Sequence, residues 1–293
     1  MDFLDELQHR ILPGDGAMGT ALMAAGVPAD ACFEELCVSR PDTVLAVHGA
    51  ALAAGARVIA TNSFGANAVR LAAHGHGRRV SELNWSAAQL AKDAARGTGA
   101  HVAGCVGPLG ISAAEAEARA VDREEVFTAQ IGALLDGGAR VILLATFLDL
   151  EELLLAVQVK HALHHCPVIA SLACPDDGRL PDGTPLAAAF AKLRAAEADV
   201  VGINCVNGPA AAARLLAGLG EHGPLAAFPS AGLPTRTPGG LMYPATSQDF
   251  AAALPALAAS GVRLIGGCCG TTPAHLTALA ETLTVLAKDA HAS

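Results

Sequence analysis

Three cysteines, Cys205, Cys268 and Cys269, follow predicted strands and could bind one metal ion together. Cys268 and Cys269 are adjacent, and they follow the apolar stretch 262–265 through two glycines. Cys205 follows a similar apolar stretch, residues 200–204, and a Gly-Pro pair comes soon after it. Thiolates bind zinc closely, and catalytic zinc sites keep three protein ligands and one open position. We therefore predict zinc on Cys205, Cys268 and Cys269, which are also the candidate catalytic residues.

The other five cysteines are predicted to be structural. Eight cysteines in 293 residues are too few for a dense disulfide framework. In a reducing compartment, isolated cysteines are commonly buried small hydrophobes. The residues concerned are Cys32, Cys37, Cys105, Cys166 and Cys174.

A glycine-rich stretch, residues 14–20 (GDGAMGT), follows the first apolar run of the chain. Glycines such as Gly16 let the backbone approach a ligand closely, and Asp15 offers a carboxylate. The glycine spacing matches neither nucleotide-binding fingerprint. An acid at this place suits a cationic group, such as a substrate amine. The alternative is a turn capped by the Asp15 side chain.

A second polar stretch, residues 61–67 (TNSFGAN), follows the next apolar run. The hydroxyls of Thr61 and Ser63 can hydrogen-bond a substrate carboxylate or thiolate. Asn204 directly precedes Cys205 and offers an amide at the same kind of position. Such residues also serve as ordinary helix caps. The predicted substrate-binding set is Asp15, Gly16, Thr61, Ser63 and Asn204.

The elements that must position these residues repeat one pattern: a short apolar strand, a turn, and an Ala/Leu-rich helix. The predicted strands are 10–15, 56–61, 101–107, 140–146, 168–174, 200–205, 225–230 and 263–268, and the helices are 42–54, 80–96, 122–137, 148–165, 184–196, 209–219, 247–260 and 273–287. Eight alternations without a break in composition predict one α/β domain, a (β/α)8 TIM barrel over residues 1–293. A doubly wound sheet is the alternative.

Composition excludes several function classes. The net charge is −9, whereas nucleic-acid binding usually needs a basic patch. The first residues, MDFLDE, lack the basic-then-apolar order of a signal peptide. No apolar run approaches the ~18 residues of a membrane helix. We expect a cytoplasmic protein with neither a nucleic-acid nor a membrane partner.

Four motifs, taken in order, resemble the zinc-dependent homocysteine S-methyltransferase family. They are residues 14–20, 61–67, 202–205 (GINC) and 266–273 (GGCCGTTP). The loop 229–234 (PSAGLP) and the pair Tyr243-Pro244 are most similar to the homocysteine-binding modules of cobalamin-dependent methionine synthases. The resemblance implies a (β/α)8 barrel with zinc on the three cysteines. It also implies methyl transfer to the thiol of homocysteine, which forms methionine through a thiolate held on zinc.

Two positions depart from the family pattern. The family usually places a glutamate at the end of the fourth strand, where it holds the amino group of homocysteine, and this chain has Ala145 there. Asp149 and Glu151 are expected inside the following helix, which leaves Asp15 as the only acid at the barrel mouth. Ser230 stands where the family often has Asn. The departure at Ala145 favours the alternative, a zinc-dependent methyltransferase or demethylase subunit that uses a different thiol or a corrinoid protein.

The methyl donor is not specified by the sequence. Either a corrinoid protein docks in trans at the barrel mouth, or a small methyl donor enters alone. A non-catalytic zinc-binding protein that kept the fold is the third interpretation.

Overall fold

A computed structural model describes residues 2–220, 222–237 and 240–292. The strands are β1 Leu12–Pro13, β2 Val58–Ala60, β3 His101–Val106, β4 Val141–Phe147, β5 Val168–Leu172, β6 Val200–Asn204, β7 Leu225–Phe228, β8 Thr235–Thr237, β9 Gly240–Met242 and β10 Val262–Ile265. The helices are α1 Phe3–His9, α2 Met18–Ala24, α3 Leu36–Ser39, α4 Pro41–Ala53, α5 Ala68–Ala72, α6 Val80–Ala95, α7 Ala113–Ala118, α8 Arg123–Asp136, α9 Leu150–Leu163, α10 Leu186–Ala195, α11 Pro209–Leu216, α12 Ser247–Ala259 and α13 Pro273–Ala292.

Eight strands form a closed parallel barrel. They pair in the order β1-β10-β7-β6-β5-β4-β3-β2. A parallel bridge between Gly14 and Val58 joins the two ends of this order. The Arg57 amide donates to the Pro13 carbonyl at 2.7 Å across the same seam. The predicted (β/α)8 barrel is therefore confirmed over the doubly wound alternative, and each barrel strand lies within a few residues of its predicted range.

Alternation along the strands decides which side chains face the barrel interior. Because successive side chains point to opposite faces, Val141, Leu143 and Ala145 of β4 form one inward row. These three belong to the interior cluster together with Cys105 of β3 and Ile169 of β5. The register thus turns Ala145 and Cys105 inward near the C-terminal ends of their strands.

The N-terminal end of the barrel is closed by α1, which the sequence analysis did not predict. Phe3 and Leu7 are 2% exposed and pack on the interior cluster. Glu6, between them, accepts a hydrogen bond from Arg10 at 2.9 Å and pairs with Arg57 at 3.3 Å. The ring of His101 stands edge-on to Phe3. This segment is an apolar plug with a paired carboxylate.

The C-terminal end is covered by connecting segments. The short helix α2 follows β1, and β8 pairs with β9 as an antiparallel hairpin within the loop after β7. No strands were predicted in that loop, because it is rich in glycine and proline and the two strands of the hairpin have only three residues each. Every described helix falls short of a membrane span in length or in apolar character.

Candidate metal centre and substrate cavity

The three predicted ligands meet at the C-terminal end of the barrel. Cys205 follows β6, and Cys268 and Cys269 follow β10. The Cys205 sulfur lies 2.7 Å from that of Cys268 and 3.8 Å from that of Cys269. All three sulfurs lie within 4.8 Å of one another, which makes the trio a group that could hold a metal ion.

The backbone beside the cysteine cluster is tightly fixed. The Cys268 amide donates to the Pro229 carbonyl, and the Ala231 amide donates to the Cys269 carbonyl, both at 2.8 Å. Gly270 has φ +81°, and a Cβ there would lie 2.1 Å from the Tyr243 ring. Only glycine satisfies both conditions. The Gly-Cys-Cys-Gly loop is thus held between the β7 loop and the Tyr243 ring.

Cys205 is held in an unusual backbone conformation. Its φ is +57°, in the left-handed region that residues with a side chain rarely adopt. The Cys205 amide donates to the Phe228 carbonyl at 3.0 Å, so β7 holds the residue in place. Such strain costs of order 1–3 kcal/mol and persists where the surroundings over-determine it. Here it turns the thiol toward the other two sulfurs.

Hydrogen bonds among the three thiols shift their pKa values in opposite directions. Hydrogen bonds from Cys268 and Cys269 lower the pKa of Cys205, with a further contribution from the Ser230 hydroxyl. The hydrogen bond with Cys205 in turn raises the pKa values of Cys268 and Cys269. The metal-free cluster therefore favours one thiolate and two thiols. Metal binding replaces thiol protons, so affinity should rise with pH.

Asn204 connects two strand ends beside the cysteine cluster. Its Oδ1 accepts from the Thr146 amide at 2.8 Å and from the Ser171 hydroxyl at 2.9 Å. Its Nδ2 donates to the Thr146 hydroxyl at 2.5 Å. Thr146 has φ +65°, so this residue too is strained. The predicted substrate-binding Asn204 lines the cavity, but its amide is already engaged by β4 and β5.

Thr61 and Ser63 form a second brace. The Ser63 hydroxyl donates to the Cys105 carbonyl at 2.7 Å, and the Cys105 amide donates to Thr61 Oγ1 at 2.9 Å. The two hydroxyls lie 2.6 Å apart. Because the Ser63 proton is committed to the carbonyl, Thr61 is the donor of this pair. Both hydroxyl protons thus bond within the protein, although both residues line the cavity.

Asp15 is buried beneath α2. Its Oδ2 accepts from the Ala60 amide at 2.7 Å, and its carbonyl accepts from the Gly267 amide at 2.8 Å. Burial raises the pKa of Asp15 to about 7. Asp15 therefore ties β2 and the cysteine loop together and holds an ionisable group at the mouth. The neighbouring Gly16 lines the same cavity.

One cavity of about 440 Å³ unites all the predicted site residues. Further side chains that were not predicted as site residues also line this cavity. These are Met18, Met23, Phe33, Glu34, Phe64, Cys105, Leu143, Thr146, Phe228 and Tyr243. Tyr243 belongs to a motif quoted for the family resemblance. By contrast, Phe33 and Glu34 lie in a loop with no strand or helix signal of its own.

The prediction that Asp15 is the only acid at the mouth is wrong, because Glu34 lines the same cavity. Its Oε1 accepts from the Gly65 amide at 2.7 Å. The expectation for β4 holds: Ala145 faces the cavity without a carboxylate. Asp149 caps α9, and Glu151 pairs with Lys192.

A family model described as homocysteine S-methyltransferase matches residues 12–283. The chain is 35% identical over 299 residues to the methionine synthase of Mycobacterium tuberculosis, a match that covers 95% of this chain and 25% of that protein. The Mycobacterium leprae methionine synthase is 33% identical over 304 residues, with the same coverage. The chain thus spans about a quarter of the length of the curated relatives it matches.

A solved structure covers nearly the same length as this chain. The metallated form of the homocysteine methyltransferase MmuM from Escherichia coli superposes with a TM-score of 0.76 at 30% identity. The superposition covers 94% of this chain and 96% of that one.

Proposed function

Because the chain belongs to the homocysteine S-methyltransferase family, we propose that it transfers a methyl group to the thiol of homocysteine and so forms methionine. The observation that carries this proposal is the convergence of three cysteine sulfurs beside a cavity large enough for an amino acid. We further propose that residues 1–293 act as one methyltransferase domain.

We propose zinc as the cofactor, held by Cys205, Cys268 and Cys269. Two thiolates on a tetrahedral zinc with bonds of about 2.3 Å lie about 3.8 Å apart. The Cys205 and Cys269 sulfurs have this separation, whereas the Cys205 and Cys268 sulfurs lie 2.7 Å apart. Bound zinc would supply a Lewis acid that lowers the pKa of the substrate thiol. Free thiols also suit a reducing compartment, so the cytoplasm is the proposed location.

The chain's own residues hold the reacting thiol in position. The strained backbone of Cys205 and the fixed loop 266–270 preset the three sulfurs, which reduces the rearrangement needed when substrate binds. The braces made by Asn204 and by the Thr61–Ser63 pair stiffen the strand ends below the cavity. Asp15 and Gly16 offer a carboxylate and close backbone approach to the substrate's polar end. No protein base is required if the acceptor reacts as a thiolate.

The donor is proposed to enter through the open mouth of the barrel. Leu233, Leu241 and Met242 are exposed on the loop and hairpin at that end. This rim suits either a small donor or a corrinoid protein that docks in trans.

A second candidate function is methyl transfer involving a thiol without an amino group, or a corrinoid protein as the acceptor. The observation in its favour is Ala145, which leaves β4 without the carboxylate usual in the family. The two candidates differ in whether the amino group of the acceptor is recognised.

Metal analysis combined with a methyl-transfer assay tests the proposal. We expect one zinc per chain, with X-ray absorption reporting three sulfur ligands. Homocysteine should accept a methyl group from methylcobalamin, S-methylmethionine or betaine. A chain without zinc, or one with zinc that transfers no methyl group to any thiol, would refute the proposed function.

A further inference from the structure

The charged side chains that line the cavity are acidic. Two carboxylates, Asp15 and Glu34, line it beside the three cysteine sulfurs. Among the described residues of the lining there is no lysine, arginine or histidine. A ligand that brings an ammonium group would therefore meet opposite charge, whereas a ligand with only negative charge would not.

The acids that follow β4 in the sequence cannot provide this charge. Asp149 spends its carboxylate on the amides of Glu151 and Glu152 at the start of α9. Glu151 is exposed beside Lys192, and Glu152 accepts from the Leu109 amide at 2.7 Å. All three are thus committed elsewhere.

Glu34 is fixed over the cavity by two anchors. The Asn62 side chain donates to the Phe33 carbonyl at 2.7 Å and holds the backbone. The Gly65 amide donates to Glu34 Oε1 at 2.7 Å and holds the carboxylate. A Cβ on residue 65 would lie 2.7 Å from Oε1, so a larger residue there would shift the Glu34 carboxylate from this position. Charged hydrogen bonds of this kind define position well.

Glu34 keeps unused hydrogen-bonding capacity. A carboxylate has about four lone-pair sites, and the Gly65 amide occupies one. The only described donor to Oε2 is the Cys32 thiol at 3.6 Å, a weak contact. If Glu34 only capped the loop, the side-chain oxygen of a glutamine could also accept from the Gly65 amide. The negative charge is therefore the feature that the loop itself does not need.

Asp15 and Glu34 act on the same part of the cavity. Cys105, near the end of β3, lines the same cavity as both acids. Burial first, then the charge of Asp15 and the charge of Glu34, raise the pKa of the Cys105 thiol. Both carboxylates thus lie close enough to one interior side chain for their fields to overlap there.

We propose that Glu34, together with Asp15, forms an ammonium subsite that replaces the missing carboxylate at Ala145 and selects an acceptor thiol bearing a primary amine. This inference rests on the proposed function, because the acceptor's sulfur must sit at the cysteine cluster. Among the two candidates above, it favours homocysteine.

The test compares binding of two thiols that differ only in the amine. The affinities for homocysteine and 4-mercaptobutanoate are measured by calorimetric titration. Three zinc-loaded proteins are compared: the wild type, Glu34→Gln and Glu35→Gln. Glu34→Gln keeps an acceptor for Gly65 and removes only the charge. Glu35 is the matched control, because its carboxylate contacts Ser39 and Arg79 and does not line the cavity.

We expect Glu34→Gln to weaken homocysteine binding about 10- to 150-fold, the range for one lost charge-assisted hydrogen bond. Binding of 4-mercaptobutanoate should change less than about threefold, and Glu35→Gln should alter neither thiol. The double variant Glu34→Gln/Ala145→Glu should regain homocysteine affinity, because it restores a carboxylate at the usual family position.

Two results would overturn the inference while leaving thiol methylation intact: equal wild-type affinity for both thiols, or an equal loss for both in Glu34→Gln. The second would mean that Glu34 only supports the loop. If the wild-type zinc protein binds neither thiol, the proposed function fails, and the inference fails with it. The Glu34→Gln and Glu35→Gln pair decides the question even if the double variant does not fold.

Discussion

The two ends of the barrel are built for opposite purposes. At the N-terminal end, Phe3 and Leu7 fill the interior, and the buried Glu6 is paired with arginines. At the C-terminal end, the strand ends surround a cavity and hold Cys205 and Thr146 at positive φ. Backbone strain of order 1–3 kcal/mol a residue is tolerated where the rest of the fold supplies stability. The plug therefore contributes stability, which offsets the backbone strain at the cysteine end.

β6 shows this contrast within one strand. Glu197, before its start, and Cys205, after its end, both have positive φ. Glu197 is exposed and lines no cavity that holds the site, whereas Cys205 aims a thiol at two others. The same backbone conformation forms a surface turn at one end and brings a thiol into the cysteine cluster at the other.

The largest expected effect comes from breaking the cysteine end. Cys268→Ala should abolish zinc binding and methyl transfer, because two thiols do not hold zinc in this kind of site. The free energy of unfolding of the metal-free variant should lie within about 1 kcal/mol of that of metal-free wild type, since no large side chain is lost. Elemental analysis, an activity assay and denaturant unfolding measure these three quantities.

The matched control is Cys166→Ala, which lies before β5 at the opposite end. It should keep both zinc and activity. Loss of zinc in this variant would show that the metal site depends on more than the three cysteines.

Breaking the plug should have the reverse pattern. Phe3→Ala removes a fully buried aromatic ring and should lower the free energy of unfolding by about 3–5 kcal/mol. Zinc stoichiometry and thiol affinity of the folded fraction should stay unchanged. Val285→Ala, at a side chain 56% exposed on α13, is the control and should shift stability by less than about 0.5 kcal/mol. Weaker zinc binding in folded Phe3→Ala would mean that the two ends are coupled.

Asp15 provides a pH-dependent test of the C-terminal end. Because burial raises its pKa from 3.8 to about 7, the folded state disfavours the charged carboxylate. The contribution of Asp15 to stability should therefore fall as pH rises from about 4 to about 7 and then level off. The shift is roughly three units, so Asp15→Asn should gain at most about 4 kcal/mol over wild type at pH 8 relative to pH 4.

This comparison is made by denaturant unfolding of both metal-free proteins, so that cysteine titration is common to both. A constant difference across this pH range would contradict a buried, charge-disfavouring site for Asp15.

The smallest effect is expected at the start of β6. Glu197→Gly removes the steric cost of the left-handed conformation and should raise the free energy of unfolding by about 1 kcal/mol. Zinc content and homocysteine affinity should not change. Cys205→Gly relieves similar strain but should lose the metal, which separates strain that serves the site from strain that does not.

Local sequence patterns were sufficient to predict the barrel and the convergence of the three cysteines. Strand and helix periodicity is a short-range property, so the apolar runs and their alternation could be read directly from residues such as those of β5 and β6. The vicinal pair Cys268–Cys269 and the matching Cys205 could be placed together because parallel strands end at one face. The absence of a glutamate at Ala145 followed from the family resemblance, which implies an acid at the end of β4.

Only the tertiary structure determined what the remaining groups do, because their properties depend on contacts between distant residues. Glu34 enters the cavity through hydrogen bonds that involve residues 62 and 65. Thr61 and Ser63 have their hydroxyl protons bonded within the protein because β3 lies beside them. Glu6 becomes part of a plug through Arg57, and Asp15 becomes a near-neutral acid through burial. Sequence supplies the chemical types, while distance and burial decide which of them remain available to a ligand.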